Sequence, residues 1–534
     1  MSKDSIELRV ATQSNMMSFL TKSDQINYSN QDDIILRQLG KRPLLNRNFG
    51  FMSILGLACS ALCSWEGILV TSVPALSLGG PAAVTWAFVI GWIGTISVTA
   101  TMAELASAAP TAGGQYHWVA MIAPESCAAF LTYVVAWLTT LAWQAMAITS
   151  SYTTTTILLG IVVLSNPTYT PHSWHTILTM WATTCFAVLI NLTGGRALAR
   201  FEGLILVLHL AGFFGILVPL VYFAPHNTPD FVFTTFYDNG GWSSQALTFF
   251  VGFPTVATSL IGADCAVHMS EEIQSAALVV PRALMYSILI NGALAFAIIV
   301  GLMFSISDLD SAVEAASTMF YSFLQIFQSA VKSTTGACLM AGIIFVLSLA
   351  SSISVYASAS RMMWSFSRDK GLPLSRHLVK LTKHALPMNS ILGTTAITLV
   401  LSLIVFASGV ALAALLSLVV AALYSSYLLV CCLLLWRRCT GAFQPYAPGS
   451  DLLDSGHLSW GPWRLPEPLG TVNNVFACLY SALLLFWSFW PQANDPTPDT
   501  FNWSVLVFGA VLFFSIFWYI VRARRYFKGP IREV

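Results

Sequence analysis

The sequence predicts an all-α polytopic membrane protein with twelve transmembrane helices, arranged as two inverted sets of five plus two additional helices. Three observations carry that expectation. Charged residues make up only 9% of the 534, hydrophobic residues 56%, and the mean hydropathy is +0.71, whereas a soluble domain carries roughly 25% charged residues. Apolar stretches of about 20 residues, the length that crosses a bilayer, recur along the whole chain. Two of them, five spans apart, are interrupted by residues that disfavour helix.

The spans run approximately over 50–77, 81–107, 127–161, 176–194, 201–223, 243–268, 284–305, 335–362, 389–407, 410–436, 471–490 and 502–521. Residues 1–48 are polar, lack the apolar core of a signal peptide, and are expected to form a mobile cytosolic tail. Spans one to five, within 49–223, form the first repeat; spans six to ten, within 243–436, the second; spans eleven and twelve, within 471–521, the added pair, followed by a tail over 522–534. The segment PTAGGQYHWVAMIAPES after span two is too polar to cross and is placed at the membrane interface. The stretch 306–333, with Asp308, Asp310 and Glu314, reads as an external loop containing a short helix.

Lysine and arginine set the orientation. With the N-terminus inside, Arg196, Arg200, Arg282, the run from Arg361 to Lys383, Arg437, Arg438 and Arg464 all fall in cytoplasmic loops, leaving Lys332 as the one basic residue outside among 25. That bias fixes the topology and an even number of spans. The net charge of +1 points to no nucleic-acid partner. The ten cysteines lie mostly inside apolar runs without metal-ligand spacing, so they read as small hydrophobes. No catalytic His/Asp cluster, nucleotide-binding loop or ion filter is present. An enzyme, a cofactor and a channel are therefore not expected.

Glu66 is the only charged side chain between Phe49 and Leu78. A charge at the centre of a span costs roughly 2.5–3.5 kcal/mol even on insertion scales, so such residues face a protein interior or a substrate path. It is followed by Gly67, a helix weakener. Span six repeats the anomaly with Gly252, Pro254, Gly262 and, directly after, Asp264. Paired interrupted helices in corresponding positions of two halves mark the binding site of transporters built from inverted repeats.

The segments SWEGILVTSVPALSLGGPAAVTWAF, MAELASAAPTAGGQYHWVA, SLIGADCAVHMSEEIQSAALVVPRAL and SRMMWSFSRDKGLP resemble the amino acid–polyamine–organocation permeases, more narrowly the fungal branch containing GABA and choline permeases. The resemblance runs from about residue 45 to about 525 and implies a LeuT-type fold with substrate held by spans one, three, six, eight and ten. It implies a break of span one at Ser64, Trp65, Glu66 and Gly67, where bacterial relatives have a Gly-Ser-Gly-like run, and a break of span six at Ser259, Leu260, Ile261 and Gly262. Fewer glycines and an added acid tilt recognition toward an amine. Proton coupling is implied in preference to sodium.

At such a site, free N–H groups where span one restarts near Gly67 attract a carboxylate, and free carbonyls where span six ends near Leu260 attract an ammonium. Glu66 strengthens the ammonium end. An amino acid, GABA, choline or a polyamine each satisfies this, and a quaternary ammonium would need aromatic faces such as Trp65, Phe253, Trp137 or Trp143. Glu66 either handles substrate or proton, or holds two helices in register. Asp264 either couples, or caps the second half of span six. His209 is a coupling candidate or a satisfied helix-facing histidine. Glu104 and Glu202 are expected in interfacial pairs, with Glu104 at the gate. A sodium site would draw on Ser348, Ser351, Ser352 and Ser354 of span eight, serines that also serve in packing. The function expected is a plasma-membrane or vacuolar permease for a small amine-bearing solute; a polyamine or other organic-cation permease, and a non-transporting nutrient receptor, are the alternatives.

Overall fold

In a computed structural model the structure describes residues 31–407, 410–446, 458–498 and 501–534. Of the expected N-terminal tail, residues 1–30 lie outside the described residues; 31–38 form a helix. Among the described residues ten helices are long and apolar enough to cross a membrane, and two shorter apolar helices, Gln245–Leu260 and Met388–Leu403, stand where spans six and nine are expected. Strand is confined to two residues on each side, Phe443–Gln444 beside Leu458–Ser459. The molecule is an all-helical, multi-pass membrane protein.

Span one consists of Phe51–Leu62 and Ser64–Thr71, and continues through Val73 to a kink at Gly80 (φ +82°), after which span two runs to Ala108. A Cβ at Gly80 would lie 2.8 Å from the Tyr237 ring, so the tight corner between spans one and two needs this glycine twice over. The expected break over Ser64–Gly67 is narrower and earlier: only Cys63 leaves the helix, in the left-handed region at φ 46°. Gly67 stays helical, its N–H donating to the Cys63 carbonyl at 2.7 Å. A glycine weakens a helix by only about 1 kcal/mol, less than a bare backbone group costs in apolar surroundings. The break instead falls where the Ser64 N–H finds the Asn291 Oδ1 of span seven, at 3.3 Å.

Span six is interrupted more extensively. Gln245–Ala257 tightens into a 3-10 turn at Thr258–Leu260, Ile261 is extended, and Gly262 takes φ +122°. The expected second half of the span is reduced to a single turn, Cys265–His268, and a second 3-10 turn, Ser270–Glu272. Span seven begins at Ala276 rather than 284. Its start is capped from a distance: the Asp32 carboxylate accepts the Ser275 and Ala276 N–H groups at 2.7 and 3.2 Å, a cap no local pattern announces. The two breaks touch. A Cβ on Gly262 would meet the Ala61 carbonyl at 3.1 Å, and one on Gly67 would meet Ser259 Cβ at 3.8 Å.

Two connecting segments hold helices, the second of them more than expected. The polar stretch after span two is largely covered by protein; its helix, Gln115–Ile122, buries Tyr116 and Trp118 completely. The stretch 306–333 holds two helices, Leu309–Met319 and Ser322–Val331. The face carrying both ends of the described chain, called the terminal face below, is knotted by ion pairs. Lys41 Nζ lies 2.5 Å from Asp369, Arg361 binds Glu272 at 2.8 Å, and Arg368 binds Glu271 at 2.9 Å.

Residues 531–533 join this knot: the Ile531 N–H donates to Asp369 at 2.8 Å, the Glu533 N–H to the Gly40 carbonyl at 2.8 Å, and Arg368 Nε to Glu533 at 2.7 Å. Burial by itself would raise the Glu533 carboxyl, but the bonds from Arg368 and the Arg42 N–H outweigh it and hold the group below its ordinary range. A depressed carboxyl contributes stability that is present above the ordinary glutamate pKa of about 4.3 and lost as pH falls through the lower folded value. Hydrogen exchange at Ile531 and Glu533 should therefore lose protection on acidification below about pH 4. Glu533→Gln should show the same loss already at neutral pH.

Candidate functional site

Where the two breaks meet, a cavity of about 120 Å³ is lined by Cys63, Glu66, Gly67, Val70 and Thr71 of span one and by Met146, Thr149, Ser150 and Thr153 of span three. Thr258, Ser259 and Ile261 of span six, Ser348 and Ser351 of span eight, and Leu416 and Val419 of span ten complete most of its wall. Of the residues proposed from sequence, Glu66, Gly67, Ser259, Ile261, Ser348 and Ser351 are therefore brought together around one space. Hydroxyls dominate its polar surface. No aromatic ring stands among the described lining residues.

Glu66, buried to 1% exposure, lies in the first turn of the restarted helix, where the free N–H groups favour a negative charge. Its Oε1 is 2.7 Å from His209 Nδ1 of span five, and the Trp65 indole N–H lies 3.2 Å from both ring nitrogens, Nδ1 and Nε2. A carboxylate only accepts and an indole N–H only donates. The pattern is complete with one proton on the ring: Nδ1–H donates to Glu66, and the Nε2 lone pair accepts from Trp65. Glu66 Oε2 has no hydrogen-bond partner. Trp65 is thus a support for His209, packed at 5.6 Å between ring centroids, rather than part of the cavity wall.

A second acid–imidazole pair lies just beyond the break of span six, toward the terminal face. Asp264 Oδ2 accepts from Gln115 Nε2 at 2.7 Å and faces His268 Nε2 at 3.7 Å. Asp264 makes no capping bond to the turn that follows it. The edge of the Trp143 ring packs on His268, centroids 5.3 Å apart, so Trp143 belongs to this cluster and not to the cavity. Phe253 is displaced further, stacked on Phe249 and edge-on to Tyr480 of span eleven. Ser64 and Gly262 shape the breaks themselves.

The remaining candidates have other partners. Glu104 lies 2.5 Å from Arg438 and accepts the Leu465 N–H at 3.0 Å, joining span two to span ten and the approach to span eleven. Ser352 bonds Thr154 of span three at 3.1 Å. Ser354 donates to Glu202 at 2.8 Å. Glu202 is fully buried and not paired at an interface as expected, because residues two apart on a helix point to different sides, which separates it from Arg200. Sequence reasoning missed His209 as the partner of Glu66, and missed Asn291, Gln115 and His268. For His209 a signal existed: Glu202 and His209, seven apart, share one face of span five.

Comparison with known proteins gives the same outline. The chain is 28% identical over 493 residues to a choline transporter of Saccharomyces cerevisiae, covering 91% of this chain and 83% of that protein. It is 26% identical over 511 residues to amino-acid permease 2 of Neurospora crassa, covering 93% and 89%. A match of 27% over 515 residues, covering 93% and 95%, is found with an amino-acid permease of Oryza sativa subsp. japonica.

The pairing around Glu66 can be tested by stability. Replacing His209 with alanine strands the second oxygen of a buried carboxylate and the Trp65 N–H, at a cost of about 3 kcal/mol or more. Trp65→Phe, which leaves only one acceptor unanswered, should cost about 1 kcal/mol. Unfolding of the detergent-solubilised variants would show this order. Residues 49–512 match the model of one permease family, and with its two broken spans around a cavity that holds one buried acid and several hydroxyls the chain belongs to the amino acid permease family.

Proposed function

We propose that the protein is a secondary transporter that imports a small solute bearing an N–H ammonium, such as an amino acid or GABA, by alternating access around the breaks of spans one and six, driven by protons. The observation that carries this reading is the unpartnered Oε2 of Glu66 at the wall of a cavity rich in hydroxyls. A buried carboxylate oxygen without a donor is costly, and an ammonium supplies both donor and countercharge. The cavity, about 120 Å³, is small. That suits a compact amine better than an extended polyamine.

Choline is the second reading, favoured by the relative named for it. A quaternary ammonium has no N–H to offer and is held by aromatic faces, which the described lining lacks. Hydroxyl lining therefore ranks N–H amines first. The basic residues collected in one set of loops support cytoplasmic termini, and uptake at the plasma membrane is the matching location.

Glu66→Gln keeps the shape of the side chain but removes the charge. Losing one charge-assisted bond of about 2 kcal/mol should weaken binding roughly 30-fold. Uptake of labelled GABA and labelled choline into vesicles measures this, with cross-competition by a panel of amino acids and spermidine. Undiminished uptake by the variant at equal expression would remove Glu66 from the site. Binding without accumulation by the unaltered protein would identify a receptor instead of a transporter.

A further inference from the structure

The two buried acid–imidazole pairs differ in what they lack. At Glu66 the two ring nitrogens of His209 both have partners, as described above, and the unfilled position is the buried second oxygen of a carboxylate whose residue lines the cavity. At Asp264 the arrangement is reversed. His268 Nδ1 lies 3.0 Å from the Ala112 carbonyl, which can only accept, so Nδ1 carries a hydrogen and the neutral ring turns its bare Nε2 lone pair toward Asp264. Two acceptors then face each other across 3.7 Å, both at 0% exposure. His268 Nε2 and Asp264 Oδ1 have no hydrogen-bond partner.

The surroundings offer no compensating charge. Gln115 donates one bond to Asp264. The Tyr427 hydroxyl of span ten is a neutral hydrogen-bonding neighbour of Asp264, with Tyr424 and the Cys265 thiol also near, so the carboxylate has neutral donors around it but no described cation. Trp143 closes the side of span three, and Ser358 of span eight bonds the Cys265 carbonyl at 3.5 Å. Among the described residues no lysine or arginine pairs with Asp264. His117, on the helix that carries Gln115, is no rival for a proton: burial, Lys41 and Arg368 push it down to about 3, so it stays neutral.

A buried carboxylate without a countercharge costs several kcal/mol. One proton on His268 Nε2 would supply both the missing donor and the missing charge. We infer that the coupling proton is held between Asp264 and His268, leaving Glu66 and His209 to the amine. The inference rests on the transport reading above for its meaning, but not for its geometry. The pair is attached directly to the break, since Gly262 precedes Asp264 by two residues and packs on the end of the first half of span one. Protonation draws the two groups from 3.7 Å toward the roughly 2.8 Å of a charged hydrogen bond, and the backbone that must give is the break itself.

Infrared difference spectroscopy of the protein in liposomes, titrated between about pH 5 and pH 8 where an imidazole changes charge, tests this without any substrate. The expected result is one buried carboxyl or imidazolium signal that disappears in both Asp264→Asn and His268→Gln. Asp264→Glu, which keeps a carboxylate, should recover it at a shifted midpoint. Accumulation of labelled GABA and choline under an imposed proton gradient should fall at least about 10-fold in the first two variants, a loss of about 1.4 kcal/mol of driving force. A wild-type titration in either variant would overturn the inference, as would loss of the signal in Glu66→Gln. Failure of every amine to bind the unaltered protein would instead remove the substrate reading and leave the spectroscopic result standing.

Discussion

The bond between Glu66 and His209 is the constraint around which the centre of the molecule is arranged. A carboxylate in apolar surroundings demands a donor, and the donor has to come from another helix. Span five supplies it at 2.7 Å, and it can do so because Gly56 lets the backbones of spans one and five touch: a Cβ there would lie 2.2 Å from the Glu202 carbonyl. Trp65 then holds the ring through its indole N–H, 3.2 Å from both nitrogens. With the inner half of span one held against span five, and the Ser64 N–H held by Asn291, the restarted helix has little choice in where it presents the second oxygen of Glu66.

The fold class was legible from composition and run length because a bilayer imposes a length and an apolar surface on every crossing. Glu66 was legible for the same reason, as a solitary charge where charge is expensive. What escaped the sequence were features set by partners far along the chain. The break of span one sits at Cys63 because Asn291 answers the amide that follows, and span seven begins at Ala276 because Asp32 caps it. Adjacency to a break misled for Trp65, since a neighbour in sequence on a helix points to another side. Glu202 reads in sequence as a neighbour of Arg200, whereas helical angle turns it to the buried face of span five that also carries His209.

Two pairs of the same chemical type thus occupy the two broken spans. One combines an acid on span one with an imidazole on span five; the other joins both groups within a single turn after span six. The first ties separate helices together and is insensitive to bending of its own helix. The second lies wholly on the irregular backbone after span six. Similar residues in similar burial differ in whether they face each other across two helices at hydrogen-bond distance or within one turn at 3.7 Å.

The breaks are also mechanically unequal. Span one bends at one residue, Cys63, which has only two soft torsions, and both flanking turns are tied down by Asn291, His209 and the Cys59 carbonyl. Span six passes through a 3-10 turn, an extended residue and a left-handed glycine before a four-residue helix resumes. The first is a one-residue kink tied on both sides, the second an irregular stretch of several residues. A change of angle in span one has only the two torsions of Cys63 to act through, whereas in span six it can be spread over the torsions of several residues.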